Sequence, residues 1–187
     1  MYHVGQYLPD WHPWENYRDF FVGDRRTNGC RELMAIEFPW IFDVFGFPVS
    51  YSVQKMKNSS LDIDYPDTYQ IMFEHKGGST GVIQIDVVSR KPVRNFECIS
   101  EDLYISWNGT PDGLQRFDPD NKKEDRIALY DKVDKLEGYS ASIIEDAYLS
   151  EIKEFIDVIG GSSSPRYSFE RDKKILAIID DIEDIAK

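Results

Sequence analysis

Apolar residues change their spacing twice along this chain, and those two changes set what it can fold into. From 29 to 46 they follow a helical period, from 48 to 131 they alternate with period two, and from 148 onward the helical period returns. In the middle stretch the candidate strands are 49–57 (Val49, Tyr51, Val53), 67–75 (Tyr69, Ile71, Phe73), 81–90 (Ile83, Ile85, Val87), 94–100, 102–108, 114–118 and 126–131. Lys76-Gly77-Gly78-Ser79-Thr80 is a hairpin signal and Asn108-Gly109-Thr110-Pro111-Asp112-Gly113 a turn-rich break, and such short connections favour antiparallel pairing. One face of 81–90 carries Ile83, Ile85 and Val87 and the other carries Gln84, Asp86, Val88 and Arg90. The expected fold is therefore α+β: an open, predominantly antiparallel sheet of about six or seven strands, covered on one face by helices, with a more polar face left for solvent or a partner.

The 187 residues read as a single domain in four stretches. Residues 1–28 hold an entry strand (2–7) and an aromatic loop with Tyr7, Trp11, Trp14, Tyr17, Phe20 and Phe21, where a short helix is expected at 15–21. Residues 29–46 form the first helix, capped by Gly46, and Pro39 inside it removes a backbone donor. The sheet fills 48–131, and 145–187 give two amphipathic helices: Tyr148, Ile152, Phe155, Ile156 and Ile159 before Gly160-Gly161, then Ile175, Ile178, Ile179, Ile182 and Ile185 after Ser168 as N-cap.

Charge and cysteine usage narrow the partners. With 22 Lys+Arg against 34 Asp+Glu the net charge is −12, which repels nucleic acid and anionic lipid. Cys30 and Cys98 are far apart and outside any metal-ligand spacing, so neither a disulfide framework nor a metal site is expected and a reducing cytoplasm fits. No apolar run suits a membrane span and no export signal opens the chain. The acceptor patterns at Asn58 and Asn108 then carry no weight.

Candidate chemistry is sparse. Dinucleotide, phosphate-loop, nucleophile-elbow and zinc-helix motifs are all absent from the sequence. His75 continues the inward alternation of its strand and reads as structural. His12, in Trp-His-Pro-Trp beside Asp10 and Glu15, is either a surface residue or a proton-transfer candidate. Glu37 projects from the apolar stripe of the first helix, so its carboxylate needs a partner such as Arg31, Arg90 or Arg94; it is either a structural ion pair or a group that binds or deprotonates a substrate hydroxyl. The aromatic loop is likewise core or a stacking platform for a sugar.

The opening VGQYLPDWHPWENYRDF, the Gly29-to-Gly46 helix and the ending (a Tyr-led helix over 148–159, Gly-Gly, a Ser/Pro linker, a final helix) together resemble the C-terminal domain of the glucose-fructose oxidoreductase / inositol dehydrogenase / MocA (Gfo/Idh/MocA) family, a dihydrodipicolinate-reductase-like fold. The resemblance implies a substrate-binding and dimerisation domain of an NAD- or NADP-dependent sugar oxidoreductase, forming a homodimer through the sheet. It further implies that the Rossmann domain, which would bind the cofactor and carry the catalytic Lys, is missing, so that this chain binds no cofactor and is inactive alone. The family's His-x-x-Asp falls on Ile36 and Pro39, which cannot transfer protons. The expected substrate-lining residues are Tyr7, Asp10, Trp11, His12, Trp14, Arg31 and Glu37, with Glu37 and His12 the catalytic candidates. The alternative is a non-catalytic carbohydrate-binding or scaffold module that uses the sheet face.

Overall fold

A computed structural model describes residues 1–129 and 145–184. The chain divides into two compact units: Met1–Phe96 with the chain from Lys173, and Glu97–Asp172. The first unit holds α1 (Gly29–Phe45) and a sheet of β1 (Tyr2–Gly5), β2 (Pro48–Met56), β3 (Thr68–His75), β4 (Thr80–Asp86) and the start of β5 (Val93–Ile99), in the order β2-β3-β4-β1-β5. Neighbouring strands are antiparallel except β1 and β4, which run parallel with Tyr2 opposite Ile83 and Gly5 opposite Asp86. Short turns predict antiparallel pairing only between consecutive strands. The parallel pair arises because the whole stretch from α1 to β3 intervenes between β1 and β4.

One face of this sheet is core. Ile71, Phe73, Ile83 and Ile85 are buried against α1, where the Phe38 and Phe42 rings meet Phe73 edge-on with centroids 5.5 Å away in both cases. Asn28 caps α1 by accepting the Arg31 N–H at 2.7 Å, and Gly46 ends it at φ 81°. Pro39 is absorbed: the helix runs unbroken from Gly29 to Phe45, giving up only the backbone bond that proline cannot donate. His75 is structural, its Nδ1–H donating to the Gly46 carbonyl at 2.8 Å.

The final helix, α3 (Phe169–Glu183), starts at Ser168, whose Oγ accepts the Arg171 N–H. Its Ile175, Ile179 and Ile182 enter the first unit's core. Arg31 clamps it through Asp180 and Glu183, both at 2.7 Å, and Lys55 bonds Asp184 at 2.7 Å. Arg31 and Glu183 are largely buried, so this pair is shielded from the screening that weakens surface ion pairs.

The second unit holds β6 (Tyr104–Trp107), β7 (Gln115–Asp118) and β8 (Lys123–Arg126), antiparallel in that order, and α2 (Glu145–Ile159). A Schellman turn ends α2: Gly161 takes φ 73°, its N–H bonds the Val158 carbonyl, and the Ser162 N–H bonds the Asp157 carbonyl.

Three expectations need correction. Among the described residues the strands number eight, not six or seven, because the entry strand joins the sheet between β4 and β5. No helix forms at 15–21; single 3-10 turns occupy Leu8–Asp10 and Phe21–Gly23, since no helical apolar period runs through the loop. The last strand lies at Lys123–Arg126 rather than 126–131; Tyr130 and Asp131 fall outside the described residues, as does Ile185 of the last helical stripe. On the face opposite α1, Asp86 is buried under hydrogen bonds. The apolar stripe of α2, from Tyr148 to Ile159, lies exposed. No helix among the described residues is long and apolar enough to cross a membrane.

Candidate functional site

Beyond Gly5 the chain stays beside the continuation of β4. Gln6 N–H donates to the Asp86 carbonyl at 3.3 Å and Leu8 N–H to the Val87 carbonyl at 2.9 Å, which carries the parallel register past both strand ends. The loop carrying Tyr7, Asp10, Trp11, His12 and Trp14 therefore leaves the carboxyl end of a parallel pair. Trp11 is tied down by its indole N–H on the Gln6 carbonyl at 3.2 Å. Gly29, the first residue of α1, fits closely against Leu8, Val87 and Trp11; a Cβ there would lie 2.9 Å from Leu8 Cδ1. The start of α1 and the loop are thus packed as one piece.

His12 is the centre of an aromatic stack. Its ring lies nearly parallel to Trp14 on one side (5.0 Å, 17°) and to Phe20 on the other (4.5 Å, 12°), and its Nδ1 bonds Glu15 Oε1 at 2.5 Å. Trp14 is 77% exposed, a flat apolar face turned to solvent. Asp10 is exposed, and its carboxylate has no partner among the described residues. The arrangement can stack on the C–H face of a sugar ring while carboxylates accept its hydroxyls.

Arg31 and Glu37 lie outside this cluster. Arg31 is spent on Asp180 and Glu183. Glu37 is 2% exposed; Oε2 accepts Tyr2 Oη and Trp40 Nε1, each at 2.7 Å, and Oε1 accepts Arg94 NH2 at 2.5 Å. Burial, with the Glu37 charge beside it, drives the Tyr2 hydroxyl far above the ordinary tyrosine range, so Tyr2 stays a proton donor to that carboxylate. With three donors in place, the carboxylate is fully engaged. Ile36 is half-exposed on α1, at the place where the resemblance puts a histidine.

Sequence reasoning named Arg94 among three partners for Glu37 but missed Tyr2 and Trp40. It did not place Phe20 against His12, and it offered Arg90 as a partner for Glu37, whereas the Arg90 guanidinium carbon lies 4.0 Å above the Tyr7 ring. The helical spacing put Trp40 three residues from Glu37, and the crowding of aromatics in 1–28 was the signal for Tyr2 and Phe20.

Around β1 and the start of α1 the described residues do not offer a dinucleotide its pyrophosphate cradle. Its pyrophosphate needs free N–H groups at a glycine-rich strand-to-helix turn. Here β1 leads into a 3-10 turn, and at the start of α1 the Gly29 N–H is taken by Tyr65 Oη and the Arg31 N–H by Asn28.

No protein-family model matches the sequence, and no curated protein matches it. Solved structures do match by fold. Levoglucosan dehydrogenase in complex with NADH and levoglucosan aligns with a TM-score of 0.74 at 15% identity, over 99% of this chain and 55% of that one. UDP-N-acetylglucosamine 3-dehydrogenase GnnA from Acidithiobacillus ferrooxidans aligns at 0.66 and 14%, over 97% and 50%. An oxidoreductase from Agrobacterium radiobacter in complex with NAD+, L-tartaric acid and magnesium aligns at 0.69 and 11%, over 100% and 54%. The chain spans about half the length of these structures, and at such identities the likeness is one of fold. That fold is the Gfo/Idh/MocA C-terminal fold which the sequence resemblance implies.

Proposed function

We propose that this chain is the substrate-binding and dimerisation domain of an NAD(P)-dependent oxidoreductase acting on a sugar or sugar derivative, and that it is not catalytic alone. The observation that carries the reading is the aromatic loop at the carboxyl end of the β1–β4 pair, set in a fold shared with a dehydrogenase that holds NADH and levoglucosan. Tyr7, Asp10, Trp11, His12 and Trp14 line the sugar. Arg31 and Glu37, grouped with them by sequence, act through α1: one fixes it to α3 and the other to β1 and β5. Hydride transfer requires a dinucleotide held by a nucleotide-binding domain, and a reducing cytoplasm suits the free Cys30 and Cys98.

Titrating hexoses into the chain while following backbone and indole NMR signals tests this. Shifts are expected to concentrate on Tyr7–Trp14, and Trp14→Ala is expected to weaken binding by about tenfold while leaving the fold intact, since exposed Trp14 supports little packing. Shifts confined to the uncovered sheet face would overturn the assignment. One observation favours a second reading, a non-catalytic carbohydrate-binding module: Ile36 and Pro39 occupy the proton-transfer places, and Glu37 is saturated. That reading predicts sugar binding of equal strength with and without a dinucleotide-binding domain present.

Dimerisation rests on the uncovered face of the first unit's sheet. Strand register aligns Gln54, Gln70, Gln84, His3 and Asn95 in one row across five strands. Carboxamides both donate and accept, so such a row can pair with its own copy about a two-fold axis, and the half-exposed Met72 and Val82 on the same face add apolar area. Light scattering is expected to give about twice the 21.8 kDa chain mass, falling to the monomer value in Met72→Lys/Val82→Lys. A wild-type monomer at high concentration removes this part of the proposal.

A further inference from the structure

Arg90 lies over an aromatic ring and not beside a carboxylate. Acidic groups outnumber basic ones, and Arg18, Arg31, Arg94, Arg126 and Arg166 all pair with carboxylates. Arg90 and its neighbour Lys91 are exposed and have no ion pair among the described residues. What Arg90 has instead is the Tyr7 ring, 4.0 Å below its guanidinium carbon.

The contact is fixed from both sides. Tyr7 is placed by the flanking backbone bonds of Gln6 and Leu8 to Asp86 and Val87. Arg90 is placed by the turn after β4, where Asp86 Oδ1 accepts the N–H groups of Val88 at 3.1 Å and Ser89 at 2.8 Å. Asp86 is 1% exposed, and its Oδ2 is held by His3 Nε2 at 2.7 Å. Residue 5 must be glycine for this turn to close, since a Cβ there would lie 2.6 Å from Asp86 Oδ1. Burial alone would raise the Asp86 carboxyl, but the bonds from His3, Ser89 and Val88 outweigh it and hold the group below the ordinary aspartate range, charged.

A guanidinium held over an aromatic ring and paired with no carboxylate keeps N–H donors available, and their fork matches a carboxylate or a phosphate. The Tyr7 hydroxyl, also without a partner among the described residues, is a further donor on the same platform. Both lie just past the carboxyl ends of the parallel β1–β4 pair, Tyr7 on the segment that enters the aromatic loop.

We propose that Arg90, held over Tyr7, is a subsite for an anionic substituent, carboxylate or phosphate, of the sugar bound by the aromatic loop. This rests on the sugar reading above and adds that the substrate is an acidic sugar. The test is calorimetric titration of the full chain with a neutral hexose, a hexuronate, a hexose phosphate and inorganic phosphate. At least one anionic sugar is expected to bind about tenfold more tightly than the neutral hexose. Which of the two does so identifies the source of the charge. Arg90→Gln is expected to erase that preference without changing the thermal midpoint, because the side chain is exposed, and Tyr7→Leu to reduce it several-fold. Equal binding of neutral and anionic sugars, or a preference that survives Arg90→Gln, overturns the subsite and leaves the sugar reading standing. Phosphate bound through Arg90 with no sugar bound supports the subsite and removes the sugar reading. Binding of none of the four overturns both.

Discussion

Replacing Glu37 with alanine is expected to lower the unfolding free energy by about 3–5 kcal/mol, read from urea denaturation at neutral pH. The carboxylate is buried and satisfies three donors at once: the Tyr2 hydroxyl, the Trp40 indole N–H and the Arg94 guanidinium. Alanine leaves all three without their acceptor. Tyr2 and Trp40 also pack edge to face at 5.4 Å, so the cavity opens inside an aromatic cluster and not at the surface. Glu37→Gln separates charge from shape. The amide oxygen can still accept from Tyr2 or Trp40, but its NH2 faces a guanidinium, so most of the loss is expected to remain. Removing the cation too, in Glu37→Gln/Arg94→Met, is expected to recover part of it, since the costly element of a broken buried pair is the charge left behind. A loss below about 1 kcal/mol for the alanine variant would instead mark Glu37 as free for substrate.

Glu37 also shows how far the sequence could be read. A carboxylate projecting from an apolar helical stripe must find a partner, and that much follows from spacing. Which arginine it takes depends on register. Arg94 sits opposite Val4 in the β1–β5 pair and so shares the helix-covered face, while Arg31 turns to α3, about 150 residues on, and Arg90 to Tyr7. Local pattern carries no information about such distant pairings. The same limit explains β8. A strand is expected at 126–131, whereas it forms on the exposed Lys123–Arg126. This edge strand buries neither face and so carries no apolar pattern, and charges on an edge discourage further pairing. By contrast α1, β3 and β4 are legible because each buries one face, which forces a period on the sequence. The loop was legible only as a crowd of aromatics: that His12 takes Glu15 and stacks between Trp14 and Phe20 depends on turns that no period encodes.

Asp67 sets the second large effect, and its signature is in pH. The side chain is fully buried and accepts the N–H groups of Asn58 and Ser59, with Oδ2 receiving 3.0 and 2.8 Å bonds, together with the Ser59 hydroxyl at 2.7 Å and the Thr68 hydroxyl at 3.1 Å. Burial opposes the charge, but these donors outweigh it and hold the carboxyl below the ordinary aspartate value. A folded-state pKa below the unfolded one means that the unfolded chain takes up protons first on acidification. The stabilisation from this group is therefore complete above the unfolded value of about 3.9 and is lost as pH falls from there through the folded value. Asp67→Asn removes the charge at every pH and places an NH2 against donors. At pH 7 it is expected to cost about 2–4 kcal/mol, because a buried acceptor of several charge-assisted bonds is lost. The difference between variant and wild type is expected to shrink steadily below about pH 4, as wild-type Asp67 protonates and loses the same advantage. Asp86, held low by His3, Ser89 and Val88, is present in both proteins and cancels in that difference. A gap between the two stability curves that stays constant from neutral pH down to about pH 3 would show that Asp67 acts by shape alone, without its charge.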